Sequence, residues 1–450
     1  MPVVEEFGVE PIPAELRTVG WRDLFAILFT FNLSPLVYVL GAIAVTAGGL
    51  PLWWAATSIG LGTLVANLML IIVARVGVDY GLPGQVAMRA TFGQWGARAL
   101  TSPYRVAASS YWFAAQALAG AFGFQALIGA LTGDEPRLVP IALALAAASA
   151  LLAIVGFDAL RYFVRVVLPL AVLFTAALVA LYVASDEPAF SVSRVFDSPA
   201  QSFTWAGFAT FVTVMWGGQL TVVTNVADFC RYARSRRHMQ FGFLTGSTLG
   251  AFIAAWVGAY AAVAIGEVNP FAAAAGLTGN RILIVVLLLA ILAQTVSVNI
   301  MNVYTSGLSL VNTAPRLGRL TATALVSVAA VALAAFPDFI NEAQAWFTHL
   351  GNVAAPVTGV VLVDYVFVKQ SRIEVDELFD PHGRYRYFRG LNLAGVAAVA
   401  AGVAVYYGVP DSWLKAAWGV AVGAAAYLAL IRVQAAVVSQ TERSRRTSYV

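Results

Sequence analysis

The sequence has little charge and almost no cysteine for a chain of 450 residues. Only 11% of its residues are charged, whereas 60% are hydrophobic. A soluble protein of this composition would have more apolar surface than one core could bury, which excludes that class. The single cysteine, Cys230, excludes an internal disulfide, and His238, His349 and His382 lie too far apart in sequence to suggest a metal cluster. These absences predict a polytopic membrane protein and give metal catalysis no support.

What the sequence does contain is a series of long apolar stretches. About twelve of them reach the roughly 17 to 25 residues that a helix needs to cross a bilayer. In chain order, spans 1 to 12 are 24–46, 50–74, 105–131, 139–157, 162–184, 203–225, 241–265, 282–311, 320–336, 347–368, 391–407 and 413–431. The predicted fold class is therefore an all-α polytopic membrane protein.

The basic residues indicate how these spans are oriented, because Lys and Arg are retained on the cytoplasmic side of short loops. With the N-terminus inside, Arg137, Arg194, Arg281 and Lys415 lie outside and the other 23 of the 27 basic residues lie inside. We therefore predict a multi-pass protein of the plasma or inner membrane with both termini in the cytoplasm. The same bias explains the net charge of +4 along an anionic leaflet, so nucleic-acid binding is not indicated.

Two spans contain residues that interrupt helices. Span 1 has Asn-Leu-Ser-Pro at 32–35, where the proline lacks a backbone donor and the asparagine and serine can cap the freed groups. Span 6 has Trp-Gly-Gly-Gln at 216–219, a glycine pair inside an apolar helix. Transporters place their sites where two corresponding helices are broken, although proline and glycine are also simply common in membrane helices.

The two interruptions are separated by an odd number of spans, so a repeat of that length enters the membrane from the opposite side. This predicts a leucine-transporter-like fold with helices 1 and 6 discontinuous. Its inverted repeats are spans 1–5, residues 23–184, and spans 6–10, residues 203–369. Two C-terminal helices, 390–431, follow, and the cytoplasmic segments are 1–22 and 432–450.

Trp112 and Gln116 are the most informative pair of side chains in span 3. Four residues apart on a helix, they lie on one face, one turn from each other. An indole offers a surface for stacking and a carboxamide offers a donor and an acceptor, which together suit a planar ring with polar edges. The alternative is a packing tryptophan beside a glutamine that joins two helices.

Span 8 has an unusual density of polar side chains for a membrane helix. They are Gln294, Thr295, Ser297, Asn299 and Asn302. By contrast, the central stretches of spans 1, 3, 6 and 8 contain no charge, which would cost at least about 2.5 to 3.5 kcal/mol at the bilayer centre. A proton-coupled carrier needs a titratable group near its substrate, whereas neutral oxygens can hold sodium. The pattern favours Na⁺ over H⁺ as the coupling ion.

Several motifs carry a resemblance to a known family. They are Tyr-Gly-Leu-Pro at 80–83, Arg-Ala-Thr-Phe-Gly at 89–93 and Asn-Val-Ala-Asp-Phe-Cys-Arg-Tyr at 225–232, with weaker support at 351–356, 359, 364–365 and 387–392. In these motifs, and from about Trp21 to Trp418, the chain resembles the nucleobase:cation symporters, the permeases of cytosine, purines, uracil, allantoin, hydantoin and thiamine. The resemblance implies a transporter that imports a small planar heterocycle by alternating access.

The resemblance also implies roles for individual residues. Trp112 would stack on the ring, Gln116 would hydrogen-bond it, and Asn302 would read its edge. Where relatives with a two-sided clamp have an aromatic residue, this chain has Gln219, with Trp216 nearly one turn earlier, so the identity of the second stacking group stays open. The predicted substrate-binding residues are Trp112, Gln116, Trp216, Gly218, Gln219, Asn299 and Asn302.

The family pattern further implies a sodium site. Its ligands would be backbone carbonyls near Asn32 to Pro35 and of Ala293 and Val296, together with the hydroxyl of Ser297. Val296 stands where relatives often have a second hydroxyl, so one ligand is missing from the pattern. No cofactor other than the coupling ion is expected, and we expect a monomer.

Other functions stay open at this point. An amino-acid or other small-metabolite transporter of the same fold would hold a carboxylate at the broken helix end. A channel or a membrane enzyme is less favoured, because the sequence has no apparent catalytic triad, metal cluster or pore-lining polar ring.

Overall fold

The structure is a computed structural model that describes residues 8–153, 157–197 and 202–447. Parts of the predicted terminal segments, 1–7 and 448–450, lie outside the described residues, as do 154–156 of span 4. The described chain is α-helical and contains no β-strand, only two isolated bridges.

Nineteen α-helices follow one another along the described chain. They are α1 (Trp21–Asn32), α2 (Pro35–Thr46), α3 (Leu52–Val73), α4 (Arg75–Tyr80), α5 (Gly84–Gly96), α6 (Ser102–Thr132), α7 (Leu138–Ala153), α8 (Phe157–Val183), α9 (Val192–Phe196), α10 (Trp205–Leu220), α11 (Val226–Cys230), α12 (Arg236–Ile265), α13 (Pro270–Leu277), α14 (Arg281–Thr313), α15 (Gly318–Leu333), α16 (Asp338–Asn341), α17 (Ala343–Val363), α18 (Leu393–Gly408) and α19 (Lys415–Thr447).

Many of these helices are suited to a bilayer. Within the described part of the chain, nine helical stretches are long and apolar enough to cross it, and the bent pair α1 and α2 makes up to ten. Two shorter apolar helices, α7 and α18, add to them. The prediction of an all-α polytopic membrane protein is confirmed, while the count of about twelve spans and the segment boundaries stay predictions.

Span 1 is divided where the proline occurs. Helix α1 ends at Asn32, α2 begins at Pro35, and the two axes differ by 50°. Ser34 has an extended backbone, and Pro35 is the first residue of α2, where a missing amide hydrogen costs nothing. The proline thus ends one helix and starts the next.

Span 6 differs from the prediction. Helix α10 continues through the glycine pair to Leu220, and a 3₁₀ turn at Thr221–Thr224 and the non-helical Asn225 separate it from α11. The two glycines serve close packing instead. A Cβ on Gly217 would lie 2.9 Å from Gly351 Cα, and one on Gly218 would lie 2.5 Å from the Phe347 ring. We call residues 221–225 the α10–α11 interruption.

Helix α12 packs against both halves of the divided helix. A Cβ on Gly246 would lie 2.6 Å from the Phe25 carbonyl oxygen of α1, and one on Gly258 would lie 1.8 Å from the Tyr38 carbonyl oxygen of α2. Both contacts are with backbone atoms, which have no rotamer with which to give way. Glycine at these two positions of α12 therefore lets both α1 and α2 pack closely against the same helix.

One end of the bundle carries the beginning of α1, and we call it the N-side. There the Trp21 amide donates to His238 Nδ1 at the start of α12, at 3.1 Å. The Arg17 guanidinium donates to the Asp79 carbonyl oxygen at 3.0 Å. The N-terminal segment is thereby joined to α4 and α12.

We expect Gly258→Ala to destabilise the fold by about 1 to 3 kcal/mol, because α2 and α12 would have to separate to accept one methyl group. The measurement is the thermal unfolding midpoint of the purified protein in detergent. Gly276→Ala is the matched control, since Gly276 is also helical and has open space around it. Equal midpoints for the two variants would contradict the close approach.

Candidate functional site

Polar side chains from four parts of the chain meet where the helices are interrupted. Asn32 comes from α1, Gln116 from α6, Gln219 from α10 and Asn302 from α14. All four are almost completely buried. A buried amide without a partner costs about 1 to 3 kcal/mol, so the partner of each one matters.

Gln116 binds the start of α2. Its Oε1 accepts a hydrogen bond from the Leu36 amide at 3.3 Å, and its Nε2 donates to Ser34 Oγ at 3.0 Å. The first amides of a helix have no partner within that helix. Gln116 therefore supplies from α6 what the division of span 1 removes, and it joins two helices as one of the sequence-based alternatives stated.

Gln219 binds the other side of the same division. Its Nε2 donates to Asn32 Oδ1 at 2.5 Å. Asn32 Nδ2 in turn donates to the Leu28 carbonyl oxygen at 3.1 Å and to Ser247 Oγ of α12 at 3.0 Å. A chain of amides thus runs from α10 through α1 to α12.

Trp112 is held at its edge and covered on one side. Its Nε1 donates to Thr221 Oγ1 at 3.0 Å, and Thr221 donates to the Gly218 carbonyl oxygen at 2.7 Å. The Phe347 ring packs edge-on against the indole, with centroids 4.5 Å apart and an interplanar angle of 75°. The indole orientation is therefore fixed by the first residue of the α10–α11 interruption.

Phe347 is the site neighbour that sequence reasoning missed. It lies on α17, is fully buried, and contacts both Trp112 and the backbone at Gly218. A phenylalanine in an apolar span gives no signal of whether it faces lipid or an internal site. The contact with Trp112 appears only when α17 is placed against α10.

Trp216 does not form a stack with Trp112. No ring contact among the described residues joins the two, and Trp216 is 8% exposed, with no hydrogen-bond partner for its Nε1. Gln219 is directed to Asn32 instead. The second group of a two-sided clamp stays a prediction for either residue, while Phe347 is the aromatic group beside Trp112.

Some amide atoms on α14 have hydrogen-bond partners and others do not. Asn299 Nδ2 donates to the Phe113 carbonyl oxygen at 3.2 Å, so this side chain joins α14 to α6. Asn302 Nδ2, Asn299 Oδ1 and both amide atoms of Gln294 are buried without a hydrogen-bond partner in the structure. These unsatisfied groups have capacity for a polar ligand or for water.

The predicted sodium ligands lie on α14 and around the division between α1 and α2, and α14 contacts both of these helices. Helix α14 carries Ala293, Val296 and Ser297, and it packs against α1. The Ser297 hydroxyl is nearly buried and hydrogen-bonds to no described residue. No group of three His, Cys, Asp or Glu side chains suited to a metal occurs in the described ranges. A neutral-oxygen site stays the prediction.

The buried acidic groups lie on the N-side and have partners. Asp364 accepts from Thr91 Oγ1 at 2.7 Å and from Tyr427 at 2.8 Å, and it forms an ion pair with Lys369. Burial lowers the pKa of Lys369, and Asp364 opposes that shift. Asp228 accepts from the Gly84 amide at 2.6 Å. These carboxylates join helices at the N-side instead of facing Trp112.

A divided helix whose freed polar groups bind amide side chains of α6 and α10 points to a class of protein. Transporters use interrupted helices of this kind to bind substrate near the middle of the membrane. The fold and the site therefore define a membrane transporter.

The family follows from the sequence as a whole. Residues 11–431 match the family of permeases for cytosine/purines, uracil, thiamine and allantoin. The chain belongs to this family, which confirms the predicted nucleobase:cation symporter resemblance and a transporter, not an enzyme.

Curated relatives and solved structures agree with this assignment. The hydantoin permease of Microbacterium maritypicum is 24% identical over 88% of this chain and 82% of its own length. The allantoin permease of Bacillus subtilis (strain 168) is 27% identical over 94% and 92%. The structure of Mhp1, a nucleobase-cation-symport-1 family transporter in a closed conformation with bromovinylhydantoin bound, has a TM-score of 0.84 at 21% identity, covering 97% of each chain.

A more distant structure shares the fold. A Na⁺-coupled sialic acid symporter has a TM-score of 0.61 at 13% identity, covering 92% of this chain and 91% of its own. The predicted leucine-transporter-like fold is confirmed.

We expect Gln116 and Ser34 to be energetically coupled. Gln116→Leu removes a buried pair of hydrogen bonds and leaves the Leu36 amide without a partner, which costs about 1 to 3 kcal/mol. Ser34→Ala removes one partner only. In a double-mutant cycle on the free energy of unfolding, the two changes should couple by about 0.5 to 3 kcal/mol. Additive effects would mean that the contact does not stabilise the division of span 1.

Proposed function

We propose that the protein is a symporter that imports a small planar heterocycle of the hydantoin, allantoin or nucleobase type. The protein lies in the plasma or inner membrane, and its N-side faces the cytoplasm, because the loops on that side carry most of the basic residues. The observation that carries the proposal is the Trp112 indole, held at its edge by Thr221 and one turn from Gln116, whose buried amide binds the start of α2.

Ring recognition combines stacking with exchange of hydrogen bonds. A planar ligand stacks on Trp112, and the edge of Phe347 closes over the same region. Asn302 Nδ2 has no partner and donates to a ring carbonyl. Gln116 and Gln219 already bind the division of span 1, so a ring that bonds them replaces Ser34 or Asn32. Substrate binding and the geometry of α1 and α2 are thereby linked.

The relatives support this class of ring. They are permeases of hydantoin, of allantoin and of purines and uracil. These compounds share neighbouring ring N–H and C=O groups, which a carboxamide recognises with one donor and one acceptor. The set of three amides, Gln116, Gln219 and Asn302, suits a ring with more than one such edge.

Sodium is the coupling ion that the site favours. The Ser297 hydroxyl has no hydrogen bond to a described residue, and the carbonyls near Asn32 to Pro35 and of Ala293 and Val296 are the remaining ligands that we propose. A proton carrier would need a carboxylate at the ring, and the buried Asp228 and Asp364 bind N-side groups. Each site is built within one chain, so a monomer suffices.

An amino-acid substrate is the second candidate, and one contact argues against it. A substrate carboxylate would bind the amides at the N-terminus of α2. The Leu36 amide there already binds Gln116 Oε1. A carboxylate would also repel that oxygen, whereas a ring with an N–H group would donate to it.

We expect Trp112→Ala to weaken heterocycle binding by about 1 to 3 kcal/mol, which is roughly a 5- to 150-fold increase in Kd. Trp112→Phe retains a ring and loses only the bond to Thr221, so its effect should be smaller. Binding of hydantoin, allantoin, uracil and free amino acids is measured by calorimetry on purified protein, with the exposed Trp413→Ala as control. Unchanged binding in Trp112→Ala, or binding of amino acids alone, would contradict the assignment.

We expect Na⁺, but not K⁺, to raise the thermal unfolding midpoint further when the heterocycle is present. A ligand at about 100 times its Kd adds about 2.7 kcal/mol to the stability of the state that binds it. Ser297→Ala should reduce the sodium effect. Ser327→Ala, which removes another buried hydroxyl without a partner, should not. Equal effects of both ions, with uptake driven by a pH gradient, would assign H⁺ as the coupling ion.

A further inference from the structure

A buried charged side chain lies in the first turn of α6, at the N-side end of span 3 and outside the heterocycle site. Arg105 is 1% exposed and seven residues before Trp112, so it lies on the same helix face, two turns nearer the N-side. A buried charge costs free energy unless it is paired and hydrogen-bonded, so the partners of this one matter. Neither ring recognition nor sodium binding uses this one.

Arg105 connects three helical elements. Its Nη2 donates to Thr305 Oγ1 of α14 at 3.1 Å, and its Nη1 donates to the Thr221 carbonyl oxygen at 3.4 Å. The Asp228 carboxylate of α11 also lies near enough to stabilise its charge. The bond to Thr221 is long, so it holds the α10–α11 interruption without a large cost of release.

Thr221 is also the partner of Trp112. The indole binds the Thr221 side-chain oxygen, and Arg105 binds the backbone oxygen of the same residue. Helix α6 therefore holds the beginning of the interruption at two levels, one at the ring site and one beneath it. Any movement of residues 221–225 away from α6 breaks both contacts.

Several buried polar groups on α6, α14 and the α10–α11 interruption would be hydrated if these elements separated. Buried polar atoms without hydrogen-bond partners are Ser109 Oγ, Thr224 Oγ1, both amide atoms of Asn225, Ser306 Oγ and Arg105 Nε. Buried polar groups without partners cost free energy, and hydrogen bonds to water would remove that cost. Arg105 joins the elements that carry these groups through its bonds to Thr221 and Thr305.

We propose that Arg105 is a positioning residue for transport, a latch that closes the N-side path beneath Trp112. It joins α6 and α14 to the α10–α11 interruption, and the path opens when the Thr221 bond is released. This role rests on the proposed transport function, but the accessibility of the path does not depend on any substrate.

The chain contains its own reporter for this path. Cys230 is the single cysteine of the sequence, is fully buried and ends α11 on the N-side. The measurement is the rate constant of its modification by a membrane-impermeant maleimide in inside-out membrane vesicles. Arg105→Met should raise this rate constant about tenfold or more, which corresponds to a tenfold change in the open population. Arg237→Met, which removes an exposed charge from the same side, should not change it.

Two further variants separate a latch from general instability. Thr305→Val retains the shape of the side chain and removes one acceptor, so it should raise the rate constant in the same direction by a smaller factor. Arg105→Lys retains the charge and should lie between wild type and Arg105→Met. Thermal unfolding midpoints within a few degrees of wild type would exclude unfolding as the cause.

The outcomes decide between the two proposals. Wild-type modification rates in both Arg105→Met and Thr305→Val would overturn the latch, whatever the protein transports. Faster modification in a protein that takes up no heterocycle would overturn the proposed substrate and leave the latch in place. If Arg105→Met does not fold, Thr305→Val alone gives the answer.

Discussion

The structure depends on satisfying the backbone groups that are freed where α1 gives way to α2. At the bilayer centre no water supplies partners, and every unpaired amide costs free energy. Gln116 from α6 and Gln219 from α10 meet this need with side chains, through Leu36, Ser34 and Asn32. The interruption of one helix thereby determines which neighbours must lie beside it and how they are turned.

Under the proposed function, the same contacts would make the site selective. An amide that already has a protein partner binds a ligand only by exchange, so a ring must offer an equivalent donor or acceptor at the same place. Apolar compounds of equal size would leave the freed groups unpaired. In the proposed site, stacking on Trp112 would add affinity without regard to the pattern of the ring edge, and the amides would supply the discrimination.

Part of this arrangement can be predicted from the sequence. The rest cannot, because it depends on tertiary contacts. The proline at 35 marks the end of α1 because its effect on the backbone is local. The prediction of a helix interruption at the glycine pair 217–218 is wrong. Glycine allows close helix packing as well as helix interruption, and only the position of α17 shows which of the two applies. Phe347 carries no local signal at all. The spacing of Trp112 and Gln116 predicts that they share one face of a helix, but their partners Thr221 and Ser34 depend on tertiary contacts.

The close approach of α12 to both α1 and α2 has a mechanical meaning. The close backbone contacts at Gly246 and Gly258 restrict the bending of α1 and α2 relative to each other. Packing against α12 therefore supports the 50° angle between them from both sides. In the proposed transport cycle these three helices move together, and the contacts that have to be released are those that bind residues 221–225 to α6.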